Sequence, residues 1–594
     1  MKTTKWLLAF TLMILIQSCG VKQNQPSFEQ VYTVDLNDRA DDKFNVVLEV
    51  QGLKPTDSIF QFASTAPGTY QVMNIGRYVS DFKAFDAAGN LIDVEAINVN
   101  QYQLSKPNNI SKITYKVAET WDTPVEEYEI YAMCGTSIEK DHVLINGQGV
   151  FGYFHGHQSS PIKIELEYPE SWLVGTAMSK NDENQYLALT YDYLVDSPIL
   201  MGNLTRASKM VEQTEVEVYT YSKIGMINSE EVLTDMNDML FAASKFVNGL
   251  PVDRYTFLYL FEDRTAGAWE HSYSSEYIYK EGPWDKIGQG VVETAAHEFF
   301  HVITPLNIHS EIIQAFNFVT PIPSQHLWLY EGTTEWASHM MLLQDNLTSL
   351  DDYLEMLHSK VVTDKSFYRT DYSLVDLALN SYTKDGQSQY GNIYMRGALV
   401  AGLLDLQLLE LSSGEMGLRD LVNQLAQKYG PNRPFSEQAF FDEITAMTYP
   451  EIGDFVTNYI IQAKPLPYQE LYATIGVDYQ AALVKENESS LNLALYPVPQ
   501  GLYVIQDKGE LKRGDFIRKI NSIDVNGSNF KEFMSDFKAL EIGAEVSVEF
   551  YRGSSPMTAT LKTESLILKD EFTLYPNPSD EQLERRKVWM SSRN

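Results

Sequence analysis

The chain has 594 residues, too many for one hydrophobic core, and about three or four domains is the natural expectation. Hydrophobic residues make up 44% and charged residues 21%, the balance of a globular protein, while 80 acidic against 46 basic side chains give a formal charge of −34. No Lys/Arg cluster stands out, which sets nucleic-acid binding aside, and two cysteines, Cys19 and Cys134, cannot support a disulfide framework.

At the N-terminus, Lys2 and Lys5 precede an apolar run from Trp6 to Ile16 and then Gln17-Ser18-Cys19-Gly20. A basic start, a short apolar segment and a small residue before the cleavage point read as a secretory signal, too short to span a bilayer comfortably. The segment resembles a bacterial lipoprotein signal, with Gln17 larger than that motif usually carries. The resemblance implies that residues 1–18 are removed and that Cys19 is lipidated. It also implies an extracytoplasmic chain anchored to the outer membrane or cell surface. Residues 19–27 read as a polar tether. Cys134 then has no intrachain partner and reads as a small packed residue or a free thiol.

From Phe28 to about Leu204 the pattern is short alternating runs, such as Phe44 to Val50, Lys112 to Val117 and Ile162 to Leu166. Period two predicts strands with one buried face, and Asp86 to Asn90 predicts a turn between two of them. Residues 28–205 are expected to form a β-sandwich-like domain. After residue 228 the texture becomes helical. Ser229 can cap a helix running towards Phe246, and Val291–Val302, Leu327–Leu342, Tyr353–Val362 and Ile393–Leu411 are the clearest further helices. Arg254–Phe261 is an apolar strand among them. Residues 206–475 are expected to be a mainly helical domain.

The strongest chemical signal lies in that region, at His297-Glu298-Phe299-Phe300-His301. Residues four apart share a helix face, so both imidazoles can reach one zinc, and Glu298 can take a proton from a zinc-activated water. A catalytic zinc wants three protein ligands and an open position, and Glu331 on the next apolar helix supplies the third. Glu335, one turn later, can accept the far N–H of a ligand histidine and fix its tautomer. Two imidazoles and a carboxylate suit one zinc ion per chain.

These residues resemble the glycyl aminopeptidase family of gluzincin zinc metallopeptidases (metallopeptidase family sixty-one). That family's pattern, His-Glu-Phe-Phe-His and then Leu-Trp-x-x-Glu-Gly-x-Thr about thirty residues on, fits His297 to His301 and Leu327 to Thr334. Ala66-Pro67-Gly68-Thr69-Tyr70 with Gly76-Arg77-Tyr78-Val79 is similar to its β-domain signature. The resemblance implies a thermolysin-like catalytic domain. It also implies that Glu270, in Gly267-Ala268-Trp269-Glu270-His271, binds the free amino group of a substrate with Gly267 beside it. Tyr394, in Tyr394-Met395-Arg396-Gly397, would donate to the tetrahedral oxyanion. One departure stands out. Where the family commonly runs Trp-Asn-x-Lys-Arg after the motif, this chain has Val302-Ile303-Thr304-Pro305, which puts the family's substrate preference in doubt.

From about Tyr479 the chain returns to strands. Gln500 to Val504, Leu511 to Asn521 and Val525-Asn526-Gly527, with a helical stretch near Phe530 to Leu540, resemble a PDZ domain over 476–568. Gly501, Leu502 and Tyr503 would form its peptide-binding loop, taking a C-terminal peptide by strand addition. Residues 569–594 are polar and are expected to be a loosely held tail with a short helix at Glu581 to Val588. The fold expected is multidomain α+β. The function expected is an aminopeptidase, and the family resemblance implies peptides with a small first residue, Gly or Ala, as its substrates. The alternatives are an endopeptidase with PDZ-recruited protein substrates and a non-catalytic peptide-binding lipoprotein.

Overall fold

The computed structural model describes residues 27–591, apart from 128, 266, 531, 532, 534, 536, 537, 539 and 569. The signal segment and Cys19 lie outside these residues, and so does part of the Phe530–Leu540 stretch. Among the described residues no helix is long and apolar enough to cross a membrane.

Alternation between Phe28 and Leu204 produces strands. Glu29–Asp35 pairs antiparallel with Lys43–Gln51, which pairs with Ile110–Ala118, in a register that aligns Tyr32, Leu48 and Ile113. All three are buried, and their sequence neighbours turn to the other face. These strands are the centre of an eight-stranded sheet in which Glu29–Asp35 also runs parallel to Ile162–Glu167. Two four-stranded sheets complete this layer. The turn after Asp86 is locked by its side chain, whose Oδ1 accepts from the backbone N–H of Ala88 and Asn90, with Gly89 at φ +84°.

The next region holds more sheet than its helical texture predicts. Thr205–Val211, Thr214–Ser222, Arg254–Glu262, Ser274–Lys280 and Gly267–Glu270 form a five-stranded sheet in that order. Arg254–Glu262 runs parallel to both of its neighbours and is buried on both faces, so it reads as a continuous apolar run. Gly267–Glu270 is the antiparallel edge strand.

Helices pack against this sheet. Asn228 rather than Ser229 caps the helix Ser229–Phe246: the Asn228 side chain accepts from Glu230 and Glu231 N–H, while the Ser229 hydroxyl donates to the Thr205 carbonyl. The helix carrying His297 starts at Trp284, earlier than the periodicity predicts. Gly288 and Gly290, poor helix formers, masked its first turns. Leu350–Phe367 and Asn392–Leu411 follow, the latter buried on nearly all sides, as a central helix must be.

At the C-terminal end, Val477–Gln480 pairs with Glu571–Leu574, and the chain between them loops out as a separate β unit. Its main sheet runs Leu495–Val498, Gly501–Val504, Phe516–Ile520, Glu545–Arg552, Ser555–Lys562. The loop expected at Gly501, Leu502 and Tyr503 is instead an inner strand: Gly501 pairs with Val498 on one side and Leu502 with Ile517 on the other. Gly501 marks a close approach, since a Cβ there would lie 2.5 Å from the Ile517 carbonyl oxygen. Among the described residues the free edge on that side is Leu495–Val498.

Among its described residues the tail is not loosely held. Helix Asp580–Trp589 carries a capping box between Ser579 and Gln582, and Trp589 is 2% exposed against Tyr353. Arg586 Nε donates to the Ile475 carbonyl and Gln582 Nε2 to the Ala473 carbonyl, each at 2.7 Å. One aromatic anchor, hard to weigh in a polar stretch, outweighs the composition.

Candidate metal centre

The helix Trp284–Phe300 ends one residue before His301, which keeps helical backbone angles of −60° and −17°. The two imidazoles therefore stay on one face, with ring centroids 5.0 Å apart. Glu331 arrives from Trp328–Gly332, a π-helical turn ahead of Thr333–Gln344. The extra residue in such a turn breaks the 3.6-residue register and re-aims its side chains. Glu331 Oε2 lies 3.6 Å from Nε2 of both His297 and His301. All three residues are buried, and one ligand atom from each falls within 4.8 Å of the others.

The outer nitrogens decide what the inner ones can do. His297 Nδ1 donates to Glu335 Oε2 at 2.7 Å, and His301 Nδ1 donates to the Thr304 carbonyl at 2.8 Å. These outer bonds let each ring keep a proton on Nδ1 and turn Nε2, as a lone pair for a metal, towards Glu331. Two lone pairs and a carboxylate aimed at one point would repel one another; a divalent cation turns them into ligands. The donor set and its burial fit zinc. Glu335 is itself held by the Lys360 ammonium, and His339 Nε2 lies 3.3 Å from Oε1. Against the burial that would raise it, Lys360 and His297 hold the Glu335 carboxyl well below the usual range.

Glu298 faces the same cleft. Burial pushes its carboxyl up to about 7, with His297 opposing and Glu331 and Glu335 adding to the rise. Tyr394 comes from the helix Asn392–Leu411, with its ring 5.5 Å from that of His297. A pair of glycines brings that helix in: a Cβ on Gly332 would lie 2.6 Å from Gly397 Cα. Burial, then Glu331, Glu270 and Glu298, raise the Tyr394 phenol well above its usual value, which keeps it a donor.

Glu270 ends the edge strand and lines the cleft with Ala268 and Trp269, opposite the two histidines. One ligand atom each of Glu270, Glu298 and His301 also fall within 4.8 Å of one another. No cationic side chain is within ion-pair distance of Glu270 among the described residues, and burial, then Glu331 and Glu298, raise its carboxyl well above the ordinary value. Gly267 does not share the site: it starts the edge strand at φ +99° and is not part of the cleft lining. Its role there is conformational, because a turn at that angle favours glycine.

Several wall residues were not legible in the sequence. Gly68, Thr69 and Tyr70 come from the N-terminal layer, Tyr131, Met133 and Cys134 from a later loop of it, and Tyr390 from beside Tyr394. The Thr304 carbonyl lies in the segment where the sequence departs from its resemblance, so that segment supplies the partner of His301. The remaining histidines near the motif bind elsewhere: His309 to the Pro305 carbonyl and His326 to the Glu437 carbonyl. His155 and His157 do not converge, pairing with Gln61 and Asp57 respectively.

Residues 31–203 match the peptidase M61 N-terminal domain, and residues 290–400 match M61 glycyl aminopeptidase. Among curated proteins, none matches the chain. Among solved structures, an aminopeptidase N family protein from Idiomarina loihiensis superposes over 95% of this chain and 100% of that one. The TM-score is 0.78 at 19% identity, a likeness of fold. An M1 zinc metallopeptidase from Deinococcus radiodurans aligns over 74% of this chain and 94% of that one, with a TM-score of 0.45 and 13% identity.

Proposed function

Since this chain is a zinc metallopeptidase of the M61 glycyl aminopeptidase family, we propose that it removes single small residues, Gly or Ala, from the N-terminus of peptides. The observation that carries this reading is Glu270, a buried carboxylate without a cation, in the same cleft as His297, His301 and Glu331. A substrate ammonium supplies the missing charge there. An internal peptide N–H would leave it unpaired, which makes the site selective for a free N-terminus.

His297, His301 and Glu331 would hold the zinc. When bound, zinc supplies Lewis acidity that polarises the scissile carbonyl and makes water acidic enough to attack near neutral pH. The chain's own residues do the rest. Glu270 anchors the ammonium and so sets the first peptide bond over the metal ligands. Glu298 takes a proton from the attacking water and returns it to the leaving amine. The Tyr394 hydroxyl donates to the oxygen that gains negative charge. Glu335 and the Thr304 carbonyl hold both imidazoles in the tautomer that ligates.

Beyond the centre, we place the chain outside the cytoplasm on a lipid at Cys19, on the sequence of residues 1–20. The β unit between Val477–Gln480 and Glu571–Leu574 we read as a PDZ-like module. Any strand addition would fall on the free edge at Leu495–Val498, since Leu502 and Tyr503 are paired on both sides and Gly501 is paired with Val498.

The test compares free and N-acetylated alanyl and glycyl peptides with the wild type, Glu298→Gln and Glu270→Gln, each with its zinc content measured. Cleavage of free-amine substrates alone, with Glu298→Gln inactive but metal-loaded and Glu270→Gln raised in KM, is the expected result. Cleavage of the acetylated peptides would make the enzyme an endopeptidase. Zinc binding without any hydrolysis would favour a binding role.

A further inference from the structure

Part of the lining of the metal cleft is a turn from the N-terminal layer, Gly68 to Tyr70. Gly68 has φ +72°, and a Cβ there would lie 2.4 Å from Glu270 Oε1 and 2.7 Å from Trp269 Nε1. The turn therefore touches the proposed amine anchor with nothing to spare. Two residues on, Tyr70 has φ +47°, a left-handed conformation that a bulky residue adopts only when its surroundings impose it. Those surroundings come from the catalytic region. The Tyr70 ring lies 5.1 Å from that of Tyr390 and 6.2 Å from that of Tyr382, and its carbonyl accepts from Gln387 Nε2 at 2.9 Å. Tyr70 lines the same cleft as Glu331 and Glu270, and burial and then these two carboxylates raise its hydroxyl well above its usual value.

Glu270 lines the same cleft as His297, His301 and Glu331, and one ligand atom each of Glu270 and His301 lie within 4.8 Å of each other, so an amine held at Glu270 sits close to a carbonyl held at the metal ligands. We propose that Tyr70 is a specificity-determining residue: its ring walls the pocket for the first side chain of the substrate and admits hydrogen or methyl but not a branched chain. The inference rests on the aminopeptidase reading for the direction in which the substrate lies. The ring packs on Tyr390 and Tyr382, and Gln387 fixes the backbone that carries it.

Alanyl and leucyl anilides, each free and N-acetylated, test this with the wild type, Tyr70→Gly and Tyr70→Phe. Glycine removes the ring and accepts the left-handed backbone; phenylalanine keeps the ring and loses the hydroxyl. The wild type should prefer alanine. The leucine-to-alanine ratio of kcat/KM should rise at least about tenfold in Tyr70→Gly, the lower end of what a few methylenes are worth in a pocket, and stay unchanged in Tyr70→Phe. Tyr70→Asn, also at ease in the left-handed region, should repeat the rise if the glycine variant does not fold. A wild type that cuts leucine as readily as alanine overturns the proposal. So does an unchanged ratio in either folded, zinc-loaded ring-less variant. Cleavage of the acetylated anilides overturns the aminopeptidase reading instead, and the ratio on those substrates still decides whether Tyr70 is the wall.

Discussion

Replacing Glu335 by glutamine tests whether the residues behind the ligands set the metal affinity. In the native arrangement Oε2 accepts the His297 N–H at 2.7 Å, while Oε1 faces the Lys360 ammonium and His339. The amide can keep only one of these. If its oxygen stays on His297, its NH2 meets the Lys360 ammonium, donor against donor; if it turns, His297 loses the acceptor that fixes its tautomer. Either way the negative charge that makes the imidazole a better ligand is gone. Partners of this kind are worth about 10–100-fold in metal affinity, or about 1.4–2.8 kcal/mol. The Lys360 side chain, 7% exposed, is also left without a counter-charge, so the metal-free protein should lose stability too. Competition for zinc against a chromophoric chelator gives the dissociation constant, and thermal unfolding of metal-free protein gives the second effect. A folded Glu335→Gln variant that binds zinc within twofold of wild type would refute the reasoning.

Tyr394→Phe should lower kcat by about 10²–10³ with zinc content and KM little changed, because the hydroxyl acts only where charge develops; steady-state kinetics with metal analysis checks this. Glu276 is fully buried, with Oε1 accepting from Asn146 Nδ2 at 3.1 Å and Oε2 without a partner, and burial raises its carboxyl well above the ordinary value. The folded chain keeps this proton while the unfolded chain releases it near its ordinary pKa. Stability is therefore lost as pH rises above about 4.5, by about 1.4 kcal/mol per unit while the native group stays protonated. Glu276→Gln should remove that slope, unfolding at higher temperature than wild type at neutral pH and converging with it near pH 4. Trp589→Ala should cost about 3–5 kcal/mol in denaturant titration and expose the tail helix to proteolysis, if that helix is docked as described.

The metal set was legible in the sequence because it is local. His297, Glu298 and His301 lie within five residues of one helix, whose periodicity puts both imidazoles on one face, and Glu331 and Glu335 lie within five residues at the start of the next, where a π-helical turn re-aims Glu331. The alternating runs before residue 205 were legible for the same reason, since period two is written in consecutive residues. The sheet at Thr205–Val211 and Thr214–Ser222 was less so: Thr205–Val211 is exposed at most positions and shows no clean alternation, Thr214–Ser222 is buried at most positions, and its other neighbour, Arg254–Glu262, is reached across a helix. The inner strand at Gly501–Val504 was misread because a glycine that permits close backbone packing and one that makes a loop look alike in sequence. The tail was misread because a single tryptophan decides where a polar helix docks.

What the sequence by itself determined is the chemistry: which side chains can hold a divalent cation, which can move a proton, and that they fall on adjoining helices. What only the tertiary structure decided is the enclosure. Glu270 meets His301 across a sheet edge, Tyr394 is brought in by the contact of Gly332 with Gly397, and Gly68 and Tyr70 reach the cleft from more than two hundred residues upstream. Ligand spacing is set by one helix at a time. The shape of the space around a substrate is set by how separate elements pack, and no periodicity within a single segment records it.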